Sequence, residues 1–332
     1  MSMNIQLKRW ILRSLVGFVL VGLLYWALRN APLLEILAAV RQLRPWQGAV
    51  ILGLSIFFFG VSTLRWWVIV SAENRHVTFW PLLRVRFAVF GVSYFTLGPQ
   101  VGGEALQVLV LRRKYGLSFT RATASVLLDK LLEFLMDFLL LAFGLASVLQ
   151  GGVLIENGMQ LAGSLLLLVF LIAWPPFHLL LLFNRRYPLT AILRMIPFLP
   201  KNAKLVRFVR AAEHLSGLFC QRYPRRLLVA IFCSVLAGAG MLLDYALVTS
   251  FLHIPLPFWK VVAGWWMGWV ALLMPLPGGL GAMEASQVFA LGQFGFSPAA
   301  ALSVALVLRG RDMLLGGLGL LLTGLESTGA AK

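Results

Sequence analysis

Leu97-Gly98-Pro99-Gln100-Val101-Gly102-Gly103-Glu104 interrupts an otherwise apolar region and is unsuited to a continuous helix. Proline removes a backbone donor and clashes with the preceding turn, and glycine inside a helix costs roughly 0.5–1 kcal/mol relative to alanine. At membrane depth an interrupted backbone must be covered by protein or line a wet cavity. A carboxylate, Glu104, follows the interruption at once. The same grammar returns as Pro275-Leu-Pro-Gly-Gly-Leu-Gly-Ala-Met-Glu284. Two broken helices, each followed by an acid, organise the rest of the chain.

The composition sets the frame for that reading. The 332 residues are 60% hydrophobic and 12% charged, with mean hydropathy +0.87. Soluble domains carry about 25% charged residues, so the chain is read as an all-α integral membrane protein. A net charge of +17 would suggest nucleic acid in a soluble protein. Here it places basic loops on the cytoplasmic side, against anionic lipid, and no nucleic-acid module is present. Cys220 and Cys233 fall in a basic linker and an apolar span, so no disulfide is expected. The scattered His76, His178, His214 and His253 give no metal spacing, and no cofactor motif is found. Lys8, Arg9 and Arg13 precede an apolar run ending Tyr25-Trp26-Ala-Leu-Arg29, read as a retained first helix rather than a cleaved signal.

About 20 apolar residues span a bilayer. Continuous spans are expected at 10–28, 46–70, 122–149, 160–183, 227–251 and 298–323, which leaves 85–111 and 258–294 as two broken, re-entrant hairpins. The whole of 1–332 is then one membrane domain. Basic residues set its orientation in the inner membrane. Arg75, Arg84, Arg86, Arg112, Arg113, Lys114 and Arg121 fall inside, as does the 184–226 linker, and both termini are cytoplasmic. Arg29, Arg41 and Arg44, in an outer loop, run against this. Three spans separate the hairpins, so the halves 85–149 and 258–323 have opposite orientations, an inverted repeat. Tyr115-Gly-Leu-Ser118 matches Phe294-Gly-Phe-Ser297. Aligning Gly116 with Gly295 sets Lys130 opposite Arg309 and Glu133 opposite Asp312, with Glu104 and Glu284 one residue out of register. Within the linker, 201–219 reads as an interfacial helix or as a plain basic loop.

Ionisable residues inside a membrane face a cavity or a partner. Asp129, Glu133 and Asp137 share one face of a span, with Lys130 three residues from Glu133. Arg309 and Asp312 are also three apart. Lys130 lies about 12 Å from the start of its span, and Arg309 at similar depth from the other face. Interhelical ion pairing and a polar path for lipid headgroups are the two readings. Glu104 and Glu284 either cap their half-helices or orient Lys130 and Arg309 at an anion site. In that site Gly102, Gly103, Gly278 and Gly279 leave backbone open to a phosphate. The candidate substrate-binding set is therefore Gly102, Gly103, Glu104, Lys130, Glu133, Gly278, Gly279, Glu284, Arg309 and Asp312, with no catalytic residue assigned. Arg65, near the end of its span, is expected to snorkel to the interface. Asp244 needs a partner that the sequence does not name. Trp66-Trp67 and Trp265-Trp266 are read as belts or helix packing.

The Leu97-Gly-Pro-x-x-Gly-Gly-Glu104 motif, its basic stretch, Gly-x-Ser turn and acidic span resemble the transmembrane region of lysylphosphatidylglycerol synthases. Pro277-Gly-Gly-Leu-Gly-Ala-Met-Glu284 with Arg309 downstream is similar to a second signature of that family. The resemblance covers nearly the whole chain. It implies a flippase-like protein that moves or binds lipid and is not an enzyme, because the chain ends at Lys332 directly after its last span. Two departures stand out. Ala105-Leu106-Gln107 follows Glu104 where the family commonly has an Arg, and Lys130 occupies an Arg position. The expected function is translocation of an anionic or polyprenyl-phosphate lipid. A membrane-embedded transferase acting on a lipid phosphate, or a non-catalytic partner of a lipid-synthesis complex, are the alternatives. Membrane lipid is the expected substrate, with anionic lipid at the cytoplasmic leaflet. A second copy or a lipid-synthesis enzyme are the open protein partners.

Overall fold

A computed structural model describes residues 33–95, 103–150, 158–196, 200, 203–272 and 279–329. The span at 10–28, the Leu97–Gly102 stretch and Pro275–Gly278 lie outside the described residues. Among those described there are twelve helices and no strand. They are α1 (Leu33–Val40), α2 (Pro45–Glu73), α3 (Phe79–Phe95), α4 (Glu104–Tyr115), α5 (Phe119–Gln150) and α6 (Gly158–Phe183). Then follow α7 (Pro188–Met195), α8 (Lys204–Arg222), α9 (Pro224–Phe251), α10 (Phe258–Leu272), α11 (Ala282–Gln293) and α12 (Pro298–Gly329). The first segment, 79–115, reaches beyond the expected 85–111, while the second, 258–293, keeps within the expected 258–294. Arg84 and Arg86 therefore sit inside α3, not in a cytoplasmic loop.

Among the described residues three helices are long and apolar enough to cross a membrane: Pro45–Glu73, Ala162–Phe183 and Pro224–Phe251. The expected spans at 122–149 and 298–323 are helices of 32 residues each, about 48 Å long at the usual rise. Their central charges keep them from reading as apolar. The 12-residue α4 and α11 are only about 18 Å long, short of a bilayer core of about 30 Å.

Contacts fix how these helices run. Trp46 packs edge-on against Phe251, Gly240 lies against Phe58, and Arg226 reaches Ser71 at 3.1 Å. Residue numbers rise on α2 as they fall on α9, so these two helices are antiparallel along their length. Helix α3 crosses α12 at backbone distance. A Cβ on Gly319 would stand 2.0 Å from the Phe87 carbonyl oxygen, and one on Gly91 would stand 2.5 Å from the Gly316 carbonyl oxygen. Helix α10 lies across α5, with Trp266 against Gly144.

Each glycine-rich motif leads into a helix that folds back on its predecessor. Gly103, before α4, has no room for a Cβ because Val89 and Ser93 of α3 press on it. Gly279, before α11, lies against Leu272 at the end of α10. The 29–45 region, expected as a loop, contains α1, whose Ile36 and Val40 cover Gly310 of α12. Helix α8 buries Val206, Ala212, Ser216 and Phe219, and Gly217 touches the Leu182 carbonyl of α6. The apolar face expected to meet lipid is thus spent largely on protein, while Lys204, Arg207 and Arg210 stay exposed.

Paired ion clusters as the candidate functional site

The first cluster is built on α5. Asp129 is fully buried and accepts from two guanidiniums, Arg65 Nε on α2 at 2.7 Å and Arg86 Nη2 on α3 at 2.9 Å. Arg65 also binds Glu133 at 2.7 Å and Ser234 of α9 at 3.2 Å. Arg86 donates to the Ser62 carbonyl at 2.9 Å. Lys130 reaches Glu133 at 2.8 Å and Glu104 of α4 at 3.4 Å. Four helices are thereby tied to one face of α5. Exposure grades across the cluster, from 0% at Asp129 and 2% at Arg65 to 18% at Lys130 and 28% at Glu104. Asp129 with its two arginines is a sealed base, and Glu104, Lys130 and Glu133 are the open rim.

The second cluster is built on α12. Arg309 holds Glu284 of α11 through both carboxylate oxygens, Nη2 to Oε2 being 2.9 Å, and donates to the Gly279 carbonyl at 3.0 Å. Glu284 Oε2 also accepts the Gly281 N–H at 3.0 Å, so this acid both caps α11 and orients Arg309. Gly279 and Gly281 have φ of +60° and +79°, backbone that a side chain would strain. Arg311 binds Asp312 at 2.8 Å and also Asp244 of α9. Tyr94, at the end of α3, is within electrostatic reach of Asp312, Arg309, Arg311 and Glu284. Arg86 in the first cluster is eight residues back on the same helix, about 12 Å away.

Several expectations change here. Arg65 does not snorkel, and Arg86 is not a loop charge; both are buried under Asp129. Asp312 pairs with Arg311, while Arg309 is taken by Glu284. Asp244 finds its partner in Arg311. The backbone at the helix starts is less open than the glycines suggest: Gly103 N–H donates to Ser93 Oγ at 3.0 Å, Gly281 N–H is used by Glu284, and the Gly279 carbonyl is used by Arg309. Gly102 and Gly278 lie outside the described residues. The structure brings Glu104 to Lys130 and Glu133, and Glu284 to Arg309 and Gly279. Among the described residues, no group of His, Cys, Asp and Glu could hold a metal ion.

In both clusters the acid that follows a glycine-rich motif meets a cation of the next long helix. The family model for the lysylphosphatidylglycerol synthase TM region matches residues 10–319. The chain belongs to this family. No curated protein and no solved structure matches it.

Proposed function

We propose that the protein moves a lipid with an anionic headgroup across the inner membrane, the headgroup passing the Glu104–Lys130 and Glu284–Arg309 pairs. What supports this reading is a numerical correspondence between the two halves of the chain. Adding 179 to the first residue of α2, α3 or α5 gives the first residue of α9, α10 or α12. The same step takes Lys130 to Arg309, Glu133 to Asp312 and Arg65 to Asp244. The equivalent helices α2 and α9 are antiparallel, as an inverted repeat requires. The repeat then includes a full span before each hairpin, upstream of the 85–149 and 258–323 halves expected from the motifs.

The exposure gradient suits an exchange of anions at the rim. Glu133 keeps Arg65 whatever happens at Lys130. The longer Glu104 contact is the one a phosphate oxygen can replace without stranding a buried charge. A lipid phosphate on Lys130 and one on Arg309 would be the two ends of a path along α3. Rocking one unit against the other would open these ends in turn.

Two experiments test this. With the purified protein in liposomes, leaflet-specific quenching of a labelled anionic lipid is expected to show protein-dependent movement; rates equal to empty liposomes for both anionic phospholipids and a polyprenyl phosphate would overturn the proposal. The topology test uses single cysteines, since Cys220 and Cys233 are buried. Trp80→Cys and Arg113→Cys, flanking the first hairpin, are expected to label from the cytoplasm. Phe258→Cys and Gln293→Cys are expected to label from the other side. Flanks of one hairpin labelling from opposite sides would mean that it crosses.

A further inference from the structure

The two units differ in how each partners a buried glutamine. In the second unit Tyr245 donates its hydroxyl to Gln287 Oε1 at 2.7 Å, and Gln287 Nε2 donates to the Gly264 carbonyl at 3.0 Å. Gln287 is fully buried and its amide is used at both ends. The repeat places Trp66 opposite Tyr245, and Gln107 opposite Gln287 in the same register that matches Glu104 to Glu284. Trp66 and Gln107 are also fully buried. Yet Trp66 Nε1, Gln107 Nε2 and Gln107 Oε1 have no hydrogen-bond partner among the described residues. Buried polar atoms are nearly always paired, and leaving three unpaired is costly.

We propose that Gln107 and Trp66 form a subsite that reads a hydroxyl on the lipid headgroup. Two donors and one acceptor match a hydroxyl, which gives and takes a hydrogen bond, and do not select for charge. The position fits a headgroup whose phosphate sits at Lys130. Gln107 is one turn from Glu104 on α4, about 4.5 Å along the helix, and side chains lean toward the helix N-terminus. Trp66 follows Arg65, which braces Glu133 beside Lys130, and it shares an apolar cluster with Val85, Val89 and Val108. The second unit fills the equivalent position with its own tyrosine hydroxyl, so only the first unit reads the headgroup. This assignment rests on the lipid-translocation reading.

The test is binding to the full chain by displacement of labelled phosphatidylglycerol. The competitors are unlabelled phosphatidylglycerol and phosphatidylethanol, which has the same phosphodiester charge and no headgroup hydroxyl. Wild type is expected to prefer phosphatidylglycerol by about five- to 150-fold, the span set by one to three unmade hydrogen bonds. Gln107→Leu is expected to bring that ratio near one with phosphatidylethanol binding unchanged, and Trp66→Phe to lower it partway. Gln287→Leu should leave the ratio alone. A ratio near one in wild type, or a preference that survives Gln107→Leu, overturns the subsite and leaves the amide to a buried water. Lys130→Ala is expected to weaken both lipids equally. If neither lipid displaces label even from wild type, the subsite is overturned and movement of a polyprenyl phosphate in liposomes decides the translocation reading, whereas binding without hydroxyl preference removes the subsite alone.

Discussion

Asp129→Asn is expected to give the largest loss of stability of any conservative change in the described core. Among the described residues Asp129 is the only carboxylate ion-paired to Arg86, and it shares Arg65 with Glu133. The amide keeps the shape and removes the charge, leaving one buried guanidinium unpaired and a second half paired. Removing one partner of a buried ion pair costs about 3–5 kcal/mol, enough to lower the melting temperature of the solubilised protein by on the order of 10 °C. Asp137→Asn is the control. It lies on the same face of α5 but makes no ion pair among the described residues, and its melting temperature should stay within a few degrees of wild type. Replacing the whole base by Arg65→Met, Arg86→Met and Asp129→Leu should recover most of the loss, because the desolvation of all three charges disappears together. Glu133 would still hold Lys130. A wild-type melting temperature in Asp129→Asn would mean that the two arginines do not depend on it.

How far the sequence foretold this site can be judged residue by residue. The short helices after each glycine-rich motif, the long charged helices and the pairing of each glycine-following acid with a downstream cation follow from local chemistry. Glycine and proline break helices, and a lone charge at membrane depth needs a partner. The sequence matched the Tyr115-Gly-Leu-Ser118 turn to Phe294-Gly-Phe-Ser297, and the hydrogen bonds agree in detail. Ser118 Oγ accepts from Arg121 N–H and Ser297 Oγ from Ala300 N–H, both at 3.3 Å. The one-residue slip between the two glutamates also has a physical origin. The first turn closes by Leu117 N–H to the Leu111 carbonyl and the second by Phe296 N–H to the Leu291 carbonyl, one residue tighter. The arm before the second turn is therefore displaced by one.

Arg65 and Arg86 were misplaced because their roles depend on what packs beside them. An arginine near a span end snorkels when lipid surrounds it and turns inward when Asp129 does. The offset that pairs Lys130 with Arg309 would have flagged Arg65, since it lands on Asp244. Two charges at matching depth in matching apolar helices are hard to explain by solvent. No periodicity in α1 announced that it would cover Gly310, a small residue whose partner is set by tertiary packing alone.

Arg309→Lys is expected to cut lipid movement at least tenfold, and Lys130→Arg to keep most of it, although both keep the positive charge. The difference follows from geometry. Arg309 engages both oxygens of Glu284 and the Gly279 carbonyl at once, a planar fork that an ammonium cannot reproduce. A lysine there can satisfy one of these groups, and the Gly279 carbonyl, on a backbone already at positive φ, would lose its donor. The start of α11 would then be held only by the bond from Gly281 to Glu284. Lys130 makes single-point contacts to Glu133 and Glu104, which an arginine can also make, and the 18% exposure of its side chain leaves room for the larger group. Initial rates in liposomes, with protein amounts matched after reconstitution, measure both variants. Equal losses would reduce both positions to sources of charge. A loss confined to Arg309→Lys would make the two ends of the path unlike: a rim where Glu104 yields to the incoming phosphate, and a fixed fork where the phosphate must compete with Glu284.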